Sequence, residues 1–241
     1  MTSHFIKSTI IILRSKDRAQ CLKKILLSKG YKVIIEPIIS IYSYDYVPID
    51  FNKVDAIMFT SVNSVKILKS NVNKKAIKNI KTYCVGDITE KWAKKSGFNC
   101  VRTSAYSGAT LEKAIIKNSE NFKKEIIIFG GEKIAHNPIP AFKKAGIDCR
   151  RIILYKTIPI KNLSDSCKGS LINKNVSHII FYSPYIAEVF DKMTKEYSLK
   201  DVTAVCLGEN TNRILKKNKW KKVLTINNVK PKSFANSIMG G

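Results

Sequence analysis

The sequence predicts an α/β fold built on parallel sheets, and three observations support this prediction. Short apolar runs rich in Ile and Val alternate with amphipathic segments that have helical periodicity. Continuous apolar strands separated by helices are typical of parallel sheets covered on both faces. Several segments also occur twice at constant spacing, which indicates a duplicated unit.

The predicted elements follow one another regularly along the chain. The first strand is predicted at Thr9–Leu13, and a helix over Asp17–Ser28 leads to a second strand that begins at Tyr31. The later strands are predicted at Ala56–Phe59, Thr82–Val85, Glu125–Phe129, Cys149–Tyr155, His178–Tyr182, Ala204–Leu207 and Lys222–Thr225. Helical segments lie between most of them, as expected for consecutive βαβ units.

Two pairs of strand–helix segments are repeated. Ser61 precedes Gly86 by 25 residues, and Ser183 precedes Gly208 by the same 25. Each of these glycines is followed three residues later by a threonine. The shared spacing indicates that the second pair is a copy of the first.

Another repeat has its own constant offset. The run I-I-I-L-R-S ends at Ser15 and matches I-I-I-F-G-G, which ends at Gly131. Gly30 and Gly146 follow at the same offset of 116 residues. Chance similarity would not readily preserve two spacings, so the sequence predicts two copies of one α/β unit.

The charge of the chain leaves several partners open. A net charge of +25 fits nucleic acid, a membrane surface or a polycarboxylate, or a bias towards Lys at solvated positions. No block of five consecutive Lys or Arg occurs, and aromatic residues are not interleaved with the basic ones. We expect no nucleic-acid partner on this basis. The apolar runs are far shorter than the roughly 20 residues of a membrane helix, so we expect no membrane contact either.

Residues for metal, nucleotide or triad chemistry do not form recognisable patterns. None of the six cysteines lies in a C-x-x-C motif, and the three histidines are scattered. The phosphate-binding patterns G-x-G-x-x-G and G-x-x-x-x-G-K-[ST] do not occur. We therefore expect no metal and no cofactor, with reduced thiols in the cytoplasm.

Helix-start signals follow several predicted strands. They are Ser61, Ser183 with Pro184, Asp87 with Glu90 at capping-box spacing, and Ser107. Free backbone N–H groups gather at such helix starts and suit an anionic ligand. Taken singly, each residue is better explained as a helix cap and nothing else. The duplication favours two such rims facing each other across a cleft, which would suit a ligand with many carboxylates or phosphates.

The motifs together resemble the uroporphyrinogen-III synthase family. They are, in order, L-R-S, L-L-S-K-G-Y-K-V-I-I-E-P, F-T-S-V-N-S-V, V-G-D-I-T-E-K-W-A-K-K-S-G, S-G-A-T-L, I-F-G-G-E, A-G-I-D-C-R-R-I-I-L-Y-K-T, F-Y-S-P and L-G-E-N-T. Each motif is weakly specific, but their order and spacing extend over about Ile10 to Ile238.

The resemblance implies two flavodoxin-like α/β domains joined by a two-stranded linker. The first domain would be discontinuous and comprise residues 1–37 and 161–241. The second would comprise residues 42–154, with linker strands at 38–41 and 155–160.

The resemblance also implies a reaction. Hydroxymethylbilane, a linear polycarboxylate tetrapyrrole, would lose its hydroxyl group, invert ring D and close to uroporphyrinogen III in haem biosynthesis, without a cofactor. Two alternatives are a non-catalytic two-domain binding protein for a polyanionic ligand and an RNA-binding protein driven by charge. We expect a monomer that makes transient contact with the enzyme supplying its substrate.

Individual residues are carried over from the family by position. Tyr155 matches a tyrosine at the family's cleft and is the candidate proton donor, the alternative being a tyrosine that only packs. The candidate substrate-binding residues are Arg14, Thr60, Ser61, Gly86, Thr89, Ser183, Gly208 and Thr211. Arg14 is suited to bidentate pairing with a carboxylate, although a plain surface charge would look the same.

The sequence departs from the family pattern in three places. L-R-S replaces the commoner Arg-Pro after the first strand, and Gly130–Gly131 replaces an Arg-Gly, so that one expected charge is missing. Tyr182 and Tyr185 flank Ser183 with bulk that we expect to narrow the cleft on that side.

Overall fold

The computed structural model describes residues 7–70, 72–217 and 220–240. The strands are β1 (Lys7–Ile12), β2 (Tyr31–Ile35), β3 (Ile39–Ser43), β4 (Val54–Phe59), β5 (Lys81–Cys84), β6 (Asn99–Cys100), β7 (Glu125–Gly131), β8 (Cys149–Pro159), β9 (Val176–Phe181), β10 (Thr203–Leu207) and β11 (Lys222–Ile226). The α-helices are α1 (Lys16–Ser28), α2 (Val62–Lys69), α3 (Lys74–Ile77), α4 (Asp87–Lys95), α5 (Gly108–Lys117), α6 (Ile139–Lys144), α7 (Asp165–Ile172), α8 (Pro184–Met193), α9 (Glu209–Leu215) and α10 (Pro231–Met239).

The chain divides into two compact units. The terminal unit comprises the described parts of residues 1–40 and 159–241, and the central unit comprises those of 41–158. The boundaries fall within β3 and just before the end of β8. The assignment of residues 38–41 and 155–160 to linker strands stays a prediction.

Each unit is organised around its own sheet. The five-stranded sheet has the order β11-β10-β9-β1-β2, and the six-stranded sheet has the order β3-β8-β7-β4-β5-β6. In the terminal unit, β1 pairs in parallel with β2 and β9, and β10 pairs in parallel with β9 and β11. In the central unit, β4 pairs in parallel with β5 and β7, β5 with β6, and β7 with β8. The predicted α/β fold with parallel sheets is therefore confirmed. Counted along the chain, the terminal unit has the strand order 2-1-3-4-5, which is flavodoxin-like.

Five strands of each sheet have the same spatial order, although the chain forms them in a different sequence. The order β6-β5-β4-β7-β8 in the central unit corresponds to β11-β10-β9-β1-β2 in the terminal unit. In the terminal unit the equivalents of β7 and β8 come first in the chain, whereas in the central unit they come last. This difference explains why the internal repeat has two offsets rather than one, and it supports the predicted duplication.

The cores form because the strands are apolar on both faces. In β1, Ile11 packs into one buried cluster, whereas Ile10 and Ile12 pack into another on the opposite face of the sheet. The same alternation in β7 places Ile127 in one cluster and Ile128 in the other. Side chains of successive strand residues point to opposite faces, so both faces are covered by helices.

Helix starts agree with the sequence prediction at three of four positions. Ser61, Ser107 and Ser183 are the N-caps of α2, α5 and α8, and the side chain of each accepts a backbone N–H bond. The capping box predicted from Asp87 and Glu90 is wrong. The N-cap of α4 is Gly86, so Asp87 is already the first helical residue. Among the described residues, no helix is long and apolar enough to cross a membrane.

Candidate active site

The carboxyl ends of three neighbouring strands form the candidate edge of the central unit. Thr60 and Ser61 follow β4, Gly86 follows β5, and β7 ends at Gly130–Gly131. The chain runs from β4 towards β5 in one direction and from β7 towards β8 in the other, so β4 and β7 meet at a topological switch point. Open α/β sheets bind ligands at such points, outside the carboxyl ends of the strands.

Tyr155 and Ser61 are in direct contact at this edge. The Tyr155 hydroxyl and Ser61 Oγ are 2.8 Å apart, a hydrogen bond in which either oxygen can be the donor. Ser61 Oγ also accepts the backbone N–H of Ser64 at 3.3 Å, so the N-terminus of α2 holds the serine in place. Tyr155 extends from β8 and is 9% exposed. A candidate proton donor is thus fixed by a hydroxyl partner from another strand–helix junction.

The two glycines that end β7 make room for this arrangement. A Cβ on Gly131 would lie 2.7 Å from Cε2 and Cζ of Tyr155, closer than side chains tolerate. A Cβ on Gly130 would lie 3.1 Å from Oγ1 of Thr60. Gly131 is therefore required for the close approach of the Tyr155 ring to β7, whereas Gly130 makes room for the Thr60 side chain.

Arg151 is a residue at this edge that the sequence analysis missed. Its Nη2 donates to the carbonyl oxygen of Glu132 at 2.8 Å and to that of Gly131. The Arg151 guanidinium lies beside Gly130–Gly131, where the family pattern has an Arg-Gly and this sequence lacks the arginine. The sequence feature that could have identified Arg151 is the C-R-R run in β8. The side chains of two consecutive strand residues point to opposite faces of the sheet, so the two arginines cannot share one face. Arg150 pairs with Glu125, which leaves Arg151 for the other face.

The terminal unit has an equivalent edge. Arg14 follows β1, Ser183 follows β9 and Gly208 follows β10, with the switch point between β1 and β9. Ser183 Oγ accepts the N–H of Ile186 at 3.4 Å. The Arg14 guanidinium carbon lies 4.0 Å from the ring centroid of Tyr182. Arg14 is therefore held at the edge by a cation–π contact.

Gly86 and Gly208 adopt the same unusual backbone conformation. Gly86 has φ +74° and ψ 152°, and Gly208 has φ +73° and ψ 160°. The N–H of Gly86 donates to Ala105 O and that of Gly208 to Ile226 O, each at 2.9 Å. A Cβ at either glycine would have no atom within 4 Å. The two turns are equivalent, and the space in front of each is open.

Alanine at either turn is expected to destabilise its unit by about 1–3 kcal/mol, because this backbone region is available almost only to glycine. Urea unfolding of Gly86→Ala and Gly208→Ala measures the change. Gly169→Ala is the matched control, since Gly169 lies inside α7, has open space where a Cβ would lie and has no positive φ. Alanine there should stabilise by up to about 1 kcal/mol. Equal effects at all three positions would contradict the assigned strain.

The two predicted threonines are buried at these turns. Thr89 is 6% exposed and Thr211 is 1% exposed. Thr211 Oγ1 donates to Leu207 O at 2.8 Å, which closes the turn at the end of β10. Their predicted role in binding substrate stays a prediction.

The predicted site residues fall into both units. Thr60, Ser61, Gly86, Thr89 and Tyr155 belong to the central unit, and Arg14, Ser183, Gly208 and Thr211 belong to the terminal unit. Within the central unit Ser61 and Tyr155 touch directly. Across the described ranges, no three His, Cys, Asp or Glu side chains are grouped closely enough to hold a metal ion.

Comparisons with known proteins agree on one family. The model of the family described as uroporphyrinogen-III synthase HemD matches residues 10–236. The porphyrin biosynthesis protein HemD of Ruminiclostridium josui is 28% identical over 168 residues, covering 67% of this chain and 33% of that protein. The chain thus spans about a third of that relative. A Methanocaldococcus jannaschii protein provisionally named uroporphyrinogen-III synthase is 26% identical over 229 residues, covering 89% of this chain and 91% of its own.

Solved structures show the same fold. The crystal structure of uroporphyrinogen-III synthetase from Helicobacter pylori matches with a TM-score of 0.69 at 20% identity, over 97% of this chain and 99% of that chain. A mutant uroporphyrinogen III synthase from Thermus thermophilus matches with a TM-score of 0.57 at 12% identity, over 97% and 98%. The family model spans nearly the whole chain and so confirms the resemblance found in the motifs. This chain belongs to the uroporphyrinogen-III synthase family.

Proposed function

We propose that this chain is a cyclising lyase that converts hydroxymethylbilane to uroporphyrinogen III, with loss of water and inversion of ring D. The observation that carries the proposal is the family match over residues 10–236. The Tyr155–Ser61 pair at the switch point of the central unit supports it, because a polar donor is held where α/β sheets bind ligands.

Tyr155 is the proposed proton donor. Loss of hydroxide from the substrate requires a proton, and a phenol O–H is a donor that can supply it. As the carbon–oxygen bond of the hydroxymethyl group breaks, the proton from Tyr155 leaves with the oxygen as water. Ser61 orients the phenol through the 2.8 Å hydrogen bond. A carbon of ring D of the same tetrapyrrole then attacks the resulting azafulvene cation, and the proton that ring D loses on regaining its aromaticity restores the Tyr155 phenol. Holding the two ends of the tetrapyrrole together supplies much of the acceleration.

The substrate's carboxylates are the proposed ligands of the basic groups at the strand ends. Helices begin directly after β4, β5, β9 and β10, and helix N-termini favour anions. The net charge of +25 adds long-range attraction for a polyanion. A monomer in the cytoplasm is the proposed form, and the six free thiols suit a reducing compartment.

An isomer-resolved assay tests the function. Hydroxymethylbilane generated enzymatically closes spontaneously to the type I isomer, whereas this chain is expected to give mainly type III. Reactions without the chain and with heat-denatured chain provide the background. A non-catalytic polyanion-binding protein would leave the type I product unchanged, and that result would refute the proposal.

A further inference from the structure

A cluster of two arginines and one tyrosine lies at the switch point of the terminal unit. Arg14 follows β1 and Tyr182 follows β9. These two parallel strands are adjacent, and the chain continues from β1 towards one edge of the sheet and from β9 towards the other. Arg18 lies in the first turn of α1, four residues after Arg14. The cluster therefore lies where the fold places ligands, and the carboxyl ends of both strands contribute to it.

Aromatic packing fixes the position of the first guanidinium. Arg14 lies over the face of Tyr182 at 4.0 Å, and the Tyr182 ring packs against Phe234 with centroids 4.9 Å apart. Phe234 is completely buried in the core of the unit. A planar guanidinium fixed in this way is suited to bidentate pairing with a planar acceptor.

The second guanidinium is in an unfavourable electrostatic environment, although its side chain remains accessible to a ligand. Partial desolvation and the nearby charge of Arg14 lower the pKa of Arg18, and this outweighs the opposite effect of Asp17. A cation in the first turn of a helix is also disfavoured by the helix dipole. Local arrangements that cost stability in this way are concentrated at functional sites.

The central unit has no equivalent pair of arginines in sequence. By the internal repeat, the position equivalent to Arg14 there is Gly130, and the guanidinium beside that glycine comes from Arg151 of β8 instead. The paired arginines are thus a property of the terminal unit alone. An anion between them would remove the like-charge repulsion.

We propose that Arg14 and Arg18, with Tyr182 as the platform that orients Arg14, form a subsite for one carboxylate of the tetrapyrrole substrate. The proposal rests on the proposed function for the identity of the ligand. A carboxylate is the expected acceptor because two neighbouring guanidiniums offer planar donor pairs that match its oxygens. Arg18 and Tyr182 act in binding and positioning, and neither takes part in proton transfer.

Substitution of Arg18 tests the subsite. Arg18→Gln is expected to raise KM for hydroxymethylbilane about tenfold, the typical loss for one charge-assisted hydrogen bond, with kcat within about twofold. Arg18→Lys should have an intermediate effect, because it keeps the charge but not the fork. The matched control is Lys29→Gln, which removes the same charge from the opposite, exposed end of α1. Circular dichroism and thermal melting establish that each variant is folded.

A direct titration separates this proposal from the proposed function. Uroporphyrin III, the stable oxidised form of the product, is titrated by fluorescence against wild type and each variant. About tenfold weaker binding by Arg18→Gln, with Lys29→Gln unchanged, supports the subsite even if wild type yields only the type I isomer. If wild type yields type III and Arg18→Gln behaves like Lys29→Gln in both KM and titration, the function stands and the subsite is overturned.

Discussion

Tyr155→Phe is expected to lower kcat by about a hundredfold, the lower end of the range for general acid catalysis. The phenol is the proposed donor of the proton to the leaving hydroxyl, and phenylalanine keeps the ring in its packed position against Gly131. The hydrogen bond to Ser61 is lost, but Ser61 Oγ keeps its contact with the N–H of Ser64. The expected stability cost is therefore only about 0.5–1.5 kcal/mol. Steady-state kinetics with isomer analysis, together with urea unfolding, measure both effects.

Two further variants distinguish proton donation from mere positioning. Tyr83→Phe is the matched control, because Tyr83 is a buried tyrosine of β5 in the same unit and packs in the cluster on the other face of the sheet. Its kcat should equal that of wild type. Ser61→Ala keeps the phenol and should cost less than Tyr155→Phe. Wild-type turnover in Tyr155→Phe would remove this residue from the acid role.

The sequence predicted the sheets well because their strands are continuous apolar runs. Ile10–Leu13 and Ile126–Phe129 are almost completely buried, so composition and position agree. Hydrophobicity alone did not separate β3, because four of its five residues are exposed and it lacks an apolar run; only the family resemblance placed a linker strand nearby, at 38–41. The apolar pattern predicts a strand that ends at Tyr155, and the resemblance adds a linker strand at 155–160; in the structure one strand, β8, extends to Pro159 beside β3. Strand ends that depend on such pairing cannot be read from hydrophobicity alone.

The candidate site was predictable only where a residue's role is local. Ser61 and Ser183 were identified because a serine before a helix is a capping signal, and the repeat marked both. Gly86 takes the cap position that the capping-box pattern assigned to Asp87, because its positive φ turns the chain one residue earlier. The contact of Ser61 with Tyr155 joins residues 94 positions apart and arises from tertiary packing. No spacing rule could have predicted it.

Gly131→Ala is expected to destabilise the central unit by about 1–3 kcal/mol and to lower turnover at least about tenfold, through overpacking. The added methyl group would lie 2.7 Å from two ring carbons of Tyr155. Gly131 is the register partner of Tyr155 across β7 and β8, so backbone pairing limits how far the two strands can separate. The ring therefore has to move, which breaks its 2.8 Å hydrogen bond with Ser61. Urea unfolding and steady-state kinetics measure the two consequences.

Neighbouring and compensating substitutions show whether the effect passes through the tyrosine ring. At Gly130 the closest atom to an added methyl is Oγ1 of Thr60, at 3.1 Å, so Gly130→Ala should be milder. Combining Gly131→Ala with Tyr155→Val removes the clashing ring, and the two stability effects should then be strongly non-additive. The double variant should regain part of the stability but none of the activity, because the phenol is absent. If Gly131→Ala instead has the same free energy of unfolding and the same turnover as wild type, the ring does not pack against β7 as described. The geometric basis for Tyr155 as proton donor is then lost.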